Sequence, residues 1–211
     1  MQNRATSNPS QSRKACRACL SRIEFPAVPL TIQLKPSLRQ TAFNLKRWAE
    51  LLTDPEVVRL AHRIETDRHG HVLMSPPPTP AHGRKQNRIG TLLEQMLPNG
   101  NVVTECPLST PDGVKAIDVA WLGPARGQEA DNETCLTRAP EICVEILSPS
   151  NTPLEIKENI ALYLEVGAQE VWICQRDGTL KFHFRAPPEV RQASEICPEF
   201  PAIISFSGES Q

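Results

Sequence analysis

The hydrophobic positions of the chain become regular from residue 41 onward, and their spacing predicts four helices. Residues 43–51 have helical periodicity, and Asp54-Pro55 is typical of the start of a second short helix, PEVVRLAH. Residues 81–97 form an amphipathic pattern that ends at Pro-Asn-Gly. A fourth helix is predicted over 153–167, with a proline in its first turn and a glycine at its end.

The intervals between these helices contain runs that are typical of β-strands. Residues 64–75 predict a hairpin that turns at His69-Gly70 and ends at a proline cluster. Two further strands flank a Pro-Asp-Gly turn. These are 101–109 and 114–122; the remaining predicted strands are 141–147, 170–175 and 179–185, and the polar stretch 123–138 is interpreted as a loop.

The order of these elements predicts the fold class. A hairpin followed by a strand–helix–strand crossover is typical of an α/β domain with a mixed central sheet flanked by helices. Residues 141–147 are almost continuously apolar, as expected of a buried central strand. We therefore expect one domain over residues 41–185, followed by a C-terminal tail over residues 186–211.

Residues 1–40 differ in composition from the rest of the chain. They contain seven Lys or Arg and one Glu, so their net charge is +6 and that of residues 41–211 is −7. Their polar, aperiodic composition predicts a disordered basic arm. An organelle transit peptide is a less favoured interpretation, because no amphipathic helix is evident. The pair Cys16-x-x-Cys19 lacks the two further ligands that a structural zinc site needs.

The overall composition narrows the class of function. The 211 residues carry a formal net charge of −1, whereas a protein that coats DNA passively is usually strongly basic. Neither a membrane span nor a secretory signal is expected, because the chain has no long apolar run and its first residues are polar. Seven cysteines without framework spacing indicate a reducing compartment, so we expect a cytoplasmic protein. Cys106, Cys143 and Cys174 are predicted to be small buried hydrophobes.

Two acids stand out because they interrupt apolar strands. Asp118 lies in AIDVAWL and Glu145 lies in ICVEILS. An acid inside such a strand loses hydration unless it has a partner, and two carboxylates that converge from neighbouring strands suit Mg²⁺ or Mn²⁺. The alternative is that each acid pairs with an arginine or caps a backbone group. For two such acids on neighbouring strands, we favour the metal site.

Three other residues are candidates on weaker arguments. His82 stands at the start of the helix 81–97, where it would contact a phosphate, although a surface or capping histidine fits equally well. Glu65 is either a further acid of the site or a charge at a strand edge. Lys157 follows Glu145 by twelve residues, and its spacing alone indicates a solvated lysine on a helix.

Several motifs between about residues 45 and 185 occur together. They are an MSP-then-His pattern, the turn E-I-L-S-P-S, and a K-x5-Y-x3-G-x4-W pattern that runs from Lys157 to Trp172. With these motifs the chain resembles the Uma-type restriction endonuclease family, a branch of the PD-(D/E)XK nuclease superfamily. The resemblance leaves out the basic arm and the C-terminal tail.

The resemblance implies a restriction-endonuclease-like α-β-β-β-α-β core. It also implies metal-binding acids on the second and third strands, which match Asp118 and Glu145. The sequence departs from the superfamily pattern at two positions, because Ile117 replaces the expected proline and Leu147 replaces the expected lysine. The resemblance further implies that the lysine is displaced onto the following helix as Lys157, where it would stabilise developing negative charge.

The spacing of that helix gives Lys157 a predicted direction. The apolar positions Leu154, Ile160, Ala161 and Leu164 are expected to face the sheet. Lys157 falls on the same stripe, so we expect it to point toward the two acids.

These residues predict an endonuclease that hydrolyses phosphodiester bonds in DNA, with Mg²⁺ or Mn²⁺ as its cofactor. Asp118 and Glu145 would hold the metal, Lys157 would assist the reaction, and His82 or Glu65 would contact the substrate. The alternative is a non-catalytic nucleic-acid-binding or regulatory module that keeps the fold. RNA stays open as a substrate because no residue pattern reads a 2′-hydroxyl, and a homodimer stays open although no dimer motif is present.

Overall fold

The computed structural model describes residues 35–59, 63–185 and 189–206 of the 211-residue chain. These residues form five helices and two β-sheets. The helices are α1 (Leu38–Thr53), α2 (Pro55–Val58), α3 (Pro80–Met96), α4 (Pro124–Ala130) and α5 (Pro153–Glu165). The strands are β1 (Arg63–Thr66), β2 (Val72–Ser75), β3 (Asn101–Thr110), β4 (Gly113–Leu122), β5 (Ile142–Ile146), β6 (Glu170–Cys174), β7 (Leu180–Phe184) and β8 (Glu189–Arg191).

The larger sheet has six strands in the order β3-β4-β5-β6-β7-β8. Strands β5 and β6 are parallel, and the other neighbours are antiparallel. The parallel pair is joined by the crossover helix α5, as a strand–helix–strand unit requires. This arrangement confirms the predicted α/β fold with a mixed sheet flanked by helices.

Helix α5 starts where the sequence predicted because its first turn is capped on both sides. Thr152 accepts the backbone N–H of Glu155, and the Glu155 carboxylate accepts the backbone N–H of Thr152. This capping box satisfies amide groups that have no partner within the helix. Pro153 follows at the first helical position, where its missing N–H is not needed. The cap therefore fixes the place at which the chain leaves β5.

Apolar side chains cover both faces of the six-stranded sheet. On one face, Trp172 and Phe182 of the sheet pack with Ile89 and Leu93 of α3. On the other face, Tyr163 of α5 belongs to the buried residues that pack with the sheet. Every residue of β4, β5 and β6 is buried, so any charged group on these strands must find its partners inside the protein.

The two-stranded sheet is fastened to β4 at the tip of the β3–β4 hairpin. The buried Thr66 accepts the backbone N–H of Val114 at 2.9 Å. Gly113 has a φ of +92°, and a Cβ atom there would lie 2.2 Å from the carbonyl oxygen of Thr66. Only glycine fits this left-handed, close approach. The docking brings β1, and with it Arg63, alongside β4.

The cysteines predicted to be buried hydrophobes are buried. Cys106, Cys143 and Cys174 are all free thiols inside the domain. Burial raises the pKa of the Cys106 thiol to about 12 and that of Cys143 well above its ordinary value. These thiols therefore remain protonated and unreactive at neutral pH. Cys16 and Cys19 lie outside the described residues.

Several element boundaries differ from the sequence prediction. Helix α1 begins at Leu38, capped by the side chain of Ser37, so the last residues of the expected arm 1–40 belong to a helix. The rest of that arm, residues 1–34, lies outside the described residues. Helix α2 ends at Val58, and the expected loop 123–138 contains the short helix α4.

The C-terminal segment is not the tail that we expected over residues 186–211. Strand β8 pairs with β7 at the edge of the large sheet. Cys197, Phe200 and Ile204 are buried in the core, where the Phe200 ring lies 4.6 Å from the Trp172 ring. The prediction was wrong because these apolar residues are spaced irregularly, so no periodic pattern marks them as core residues.

Among the helices of the described residues, none is long and apolar enough to cross a membrane.

Candidate active site

Asp118 is a buried acid on β4 whose two oxygen atoms have different partners. Its side chain is 1% exposed. Oδ2 accepts the backbone N–H of Ile146 at 2.6 Å, which ties Asp118 to the end of β5. Oδ1 forms an ion pair with Nη1 of Arg63 and lies 3.4 Å from Nε2 of His82. Asp118 therefore presents one oxygen atom, Oδ1, to the groups around it.

Glu145 lies on the neighbouring strand β5 and is held from the opposite side. Its Oε1 atom accepts a hydrogen bond of 2.6 Å from the buried hydroxyl of Tyr163 on α5. Its Oε2 atom lies 4.0 Å from Nη2 of Arg63. The strands of Asp118 and Glu145 are paired, as the sequence predicted. One guanidinium group thus contacts both acids.

Arg63 stands at the centre of four carboxylates, which we call the carboxylate cluster: Glu65, Glu105, Asp118 and Glu145. In addition to its two contacts above, Nη2 lies 3.2 Å from Glu65 and Nε lies 3.5 Å from Glu105. The Arg63 side chain is 18% exposed. A single positive charge therefore faces four groups that are negative when ionised.

Glu105 reaches the cluster because the β3–β4 ladder is interrupted at its position. Thr104 pairs with Val119 and Cys106 pairs with Ile117, so Glu105 stands opposite Asp118, and these two residues do not pair. The φ of Glu105 is 51°, a left-handed conformation that is uncommon for a residue with a side chain. Such conformations are frequent at functional sites.

Hydrogen bonds from several elements hold the cluster in place. Gln86 of α3 donates to the Glu105 carboxylate at 2.9 Å and to the backbone oxygen of Asp118 at 2.8 Å. Glu65 accepts the backbone N–H of Ala116 at 3.1 Å, so β1 is bonded to β4 beside the cluster. With the hydrogen bond from Tyr163, the cluster is held by β1, α3, α5 and the large sheet.

The two central acids have pKa values shifted in opposite directions. Burial acts to raise the pKa of Asp118, but the hydrogen bond with His82, the charge of Arg63 and the N–H of Ile146 outweigh it and lower the pKa. Burial, together with the charge of Asp118, raises the pKa of Glu145 well above its ordinary value. Burial acts to lower the pKa of Arg63, but the surrounding carboxylates raise it on balance. Asp118 therefore ionises more readily than Glu145, as is usual for one member of a pair of close carboxylates.

A set of metal-ligand atoms exists within this site. One ligand atom each of His82, Glu105 and Asp118 lies within 4.8 Å of the others. Carboxylate oxygens with one imidazole nitrogen form a donor set that suits Mn²⁺ and, for the oxygens, Mg²⁺. The residues present therefore fit a divalent cation.

The model of the Uma2 family, described as putative restriction endonuclease, matches residues 48–207. The chain belongs to the Uma2 family. This match confirms the resemblance seen in the motifs, and it extends the Uma2 domain through Phe200 and Ile204 in the C-terminal segment.

A solved structure is similar to this Uma2 chain in fold. It is described as a putative nuclease belonging to DUF820 from Anabaena variabilis ATCC 29413. The TM-score is 0.56 at 20% sequence identity, and the match covers 68% of this chain and 82% of that chain. At this identity the likeness bears on the fold alone. No curated protein matches the sequence. Uma2 membership and the nuclease-like fold together support a nuclease function.

Within the Uma2 motif from Lys157 to Trp172, the structure gives the tyrosine and the lysine different places. Tyr163 is buried and bonded to Glu145. Lys157 is exposed, and among the described residues it has no ion pair or hydrogen bond with Asp118 or Glu145. The motif therefore delivers a tyrosine, rather than a lysine, to the acid on β5.

The predicted inward stripe of α5 was partly wrong. Leu154 and Ala161 are exposed, whereas Ile156, Ile160 and Tyr163 turn toward the core. The inward face therefore follows the spacing i, i+4, i+7 from Ile156. The error came from counting Leu154, an apolar residue of the first turn that stays in solvent.

Sequence reasoning found Asp118, Glu145, His82 and Glu65 but missed Arg63. His82 and Glu65, which had weaker arguments, both contact the cluster or its arginine. Arg63 gave no signal because an arginine before a strand is ordinary on a surface. The signal available was the number of acids predicted to converge, since buried carboxylates require a cation.

Proposed function

We propose that this protein is a divalent-metal-dependent endonuclease that hydrolyses phosphodiester bonds in DNA. The observation that carries the proposal is the convergence of Asp118, Glu105 and His82, whose ligand atoms lie within 4.8 Å of one another. Glu145 lies on the neighbouring buried strand and approaches the same arginine as Asp118. Buried acids at this density are costly to a fold and are typical of sites that bind cations.

The residues have separable roles in this proposal. Asp118, aligned by the N–H of Ile146, offers Oδ1 to a divalent cation together with His82 and Glu105. Glu145 is aligned by Tyr163 through Oε1, so Oε2 is the atom that faces the cation or accepts a proton from the attacking water. When bound, Mg²⁺ or Mn²⁺ would lower the pKa of a water molecule and polarise the phosphate.

Lys157 is proposed as a substrate contact outside the cluster. Its exposed position on the first turns of α5 leaves the ammonium group free to reach a phosphate from solvent. A flexible lysine acts on phosphate as a point charge and needs no fixed geometry.

Two observations favour the non-catalytic module as a second candidate. Leu147 stands where the superfamily pattern has a lysine, and Arg63 is already paired with Asp118. A chain that had lost catalysis would keep its fold and neutralise the leftover acids in this way. The two candidates differ in their need for a metal.

The test is cleavage of supercoiled plasmid DNA in the presence of Mg²⁺ or Mn²⁺. Asp118→Asn and Glu145→Gln should each reduce cleavage by a factor on the order of 10² or more, because each removes a charge at the proposed centre. Glu94→Gln, an exposed acid of α3, is the matched control and should cleave like the wild type. Single-stranded DNA and RNA substrates in parallel assign the nucleic acid.

Metal titration separates the two candidates independently of cleavage. Calorimetric titration with Mn²⁺ should show binding to the wild type and its loss in the Asp118→Ala/Glu145→Ala double variant. Wild-type protein that neither binds Mn²⁺ nor cleaves any of the substrates would support the non-catalytic module instead.

A further inference from the structure

We propose that Arg63 is an exchangeable cation, which occupies the carboxylate cluster in the metal-free protein and contacts a phosphate of the substrate once a metal has displaced it. This inference rests on the proposed function, since it assigns a phosphate contact to the same site.

Arg63 and a metal would compete for the same oxygen atom. Oδ2 of Asp118 is bonded to the N–H of Ile146, so Oδ1 is the oxygen left for a cation. Nη1 of Arg63 pairs with that oxygen, and Nη2 lies between Glu65 and Glu145. A divalent cation bound to the cluster would therefore take over contacts that Arg63 makes in the metal-free state.

Arg63 neither balances the charge of the cluster nor satisfies all of its own hydrogen-bond donors. Four carboxylates surround its one positive charge, and its Nε atom is buried without a hydrogen-bond partner. Oε2 of Glu105 lies 3.5 Å from Nε without forming a hydrogen bond, and a buried N–H in this position is unfavourable. A cation of higher charge that binds oxygen without directional N–H groups would suit the cluster better.

The guanidinium group of Arg63 could move toward solvent while its backbone stays in place. Arg63 is the first residue of β1, and its side chain is partly exposed, so it has a route toward solvent. Its backbone stays beside β4 because Thr66, on the same short strand, is bonded to Val114. The displaced guanidinium would thus remain near the metal, and its planar fork matches the oxygens of a phosphate.

The experiment compares two affinities that should change in opposite directions. In Mn²⁺ titrations without nucleic acid, Arg63→Gln should bind the metal at least about tenfold more tightly than the wild type, because the internal competitor is gone. In the presence of saturating Ca²⁺, the same variant should bind a short fluorescent DNA duplex about tenfold more weakly, because the phosphate contact is gone. A misfolded variant would lose both affinities.

Two controls define the interpretation. Arg63→Lys keeps the charge, so it should stay closer to the wild type in both titrations. Arg68→Gln removes a hairpin arginine that pairs with Asp112 instead of the cluster, and it should change neither affinity. If Arg63→Gln binds Mn²⁺ no more tightly than the wild type, Arg63 is a permanent structural counter-ion and the inference is wrong.

A measurement on the wild-type chain covers the case in which Arg63→Gln does not fold. The Nε–H signal of Arg63 in ¹⁵N nuclear magnetic resonance should move on addition of Mg²⁺ and again on addition of the duplex. A signal that stays unchanged at saturating Mg²⁺ would overturn the exchange. Failure of the proposed function is distinguishable, because tighter metal binding by Arg63→Gln supports the exchange even if no nucleic acid is cleaved.

Discussion

Glu145 and Glu170 are two buried glutamates on the neighbouring parallel strands β5 and β6, yet their surroundings are opposite. Glu170 accepts hydrogen bonds from the Trp172 indole at 2.7 Å and from the backbone N–H groups of Glu195 and Ile196 at 2.7 and 2.8 Å. All three donors are neutral, and they bond both carboxylate oxygens. Glu145 shares its space with other carboxylates and one arginine.

Glu170 and Glu145, the acid of the proposed metal site, differ in the chemistry of their partners. Glu170 is matched to its donors, and it fastens the C-terminal segment to the sheet through Glu195 and Ile196. Burial and the neighbouring carboxylates disfavour ionised Glu145 more than Arg63 and Tyr163 favour it, and a further cation would stabilise its charge. Burial alone therefore does not identify a site; the chemistry of the partners does.

The largest expected effect on stability is that of Glu170→Gln. The amide would turn an N–H donor toward one of the three donors and break at least one hydrogen bond to a charged group. We expect the free energy of unfolding to fall by about 3 kcal/mol. Urea denaturation of this variant beside the exposed control Glu94→Gln, which should change by less than about 0.5 kcal/mol, measures the effect. A loss no larger than that of the control would contradict the structural assignment of Glu170.

Glu145→Gln should shift stability in the opposite direction, and with a characteristic pH dependence. Because the folded protein raises the pKa of Glu145, ionised Glu145 destabilises the fold, and this penalty grows as the pH rises above the ordinary glutamate value. The variant should therefore be more stable than the wild type at pH 8, and the difference should shrink as the pH falls toward 4.5.

Metal-free samples are needed for this test, because a bound cation would stabilise the ionised form. The lowered pKa of Asp118 acts in the other direction: its contribution is present at neutral pH and is lost as the pH falls through the folded-state value. Because the two acids are coupled, the substitution also changes the surroundings of Asp118, so the difference between the two proteins reports the pair. A Glu145→Gln variant that is less stable than the wild type at pH 8 would place Glu145 in the same class as Glu170.

Tyr163→Phe should have a smaller effect, because it removes one hydroxyl from a buried pair. We expect a loss of about 1 kcal/mol in the free energy of unfolding. The hydrogen bond from Tyr163 lowers the pKa of Glu145, so its removal should raise that pKa further and move Mn²⁺ binding to higher pH. Calorimetric titration over a pH series checks the shift, and an unchanged pH profile would show that Tyr163 does not position Glu145.

Lys157→Met should leave stability within about 0.5 kcal/mol of the wild type, because the side chain is exposed. Cleavage is the informative measurement for this variant. A reduction on the order of 10² would support a phosphate contact from α5. If Lys157→Met cleaves as fast as the wild type, the proposed centre consists of the carboxylate cluster and Arg63 without Lys157.

The sequence predicted the strands, the crossover helix and the two central acids because each leaves a local trace. Asp118 and Glu145 break apolar runs, and capping residues mark the start of α5. Arg63 and Glu105 leave no such trace, since the position of Arg63 depends on the docking of a separate hairpin and that of Glu105 on a left-handed backbone conformation. Their positions follow from tertiary contacts, which single-sequence patterns do not encode.

The lysine was misplaced for a related reason. The motif spacing pointed correctly to α5, but which face of a helix turns inward depends on the whole stripe, and Ile156 rather than Leu154 begins it. The C-terminal segment was missed because Cys197, Phe200 and Ile204 lie at irregular intervals in a strand-poor stretch. In α5 and in the C-terminal segment, the burial of single residues determines which residues belong to the core.

The contact between Gly113 and Thr66 lies outside the proposed centre but affects the position of β1, which carries Arg63. Any side chain at position 113 would push the backbone of β1 away from β4, and Arg63 is carried on that strand. Substitutions at this hairpin tip, outside the carboxylate cluster, would therefore alter the ion pair between Arg63 and Asp118. Variation at this tip would let related chains differ in how readily they accept a metal while every acid of the cluster stays the same.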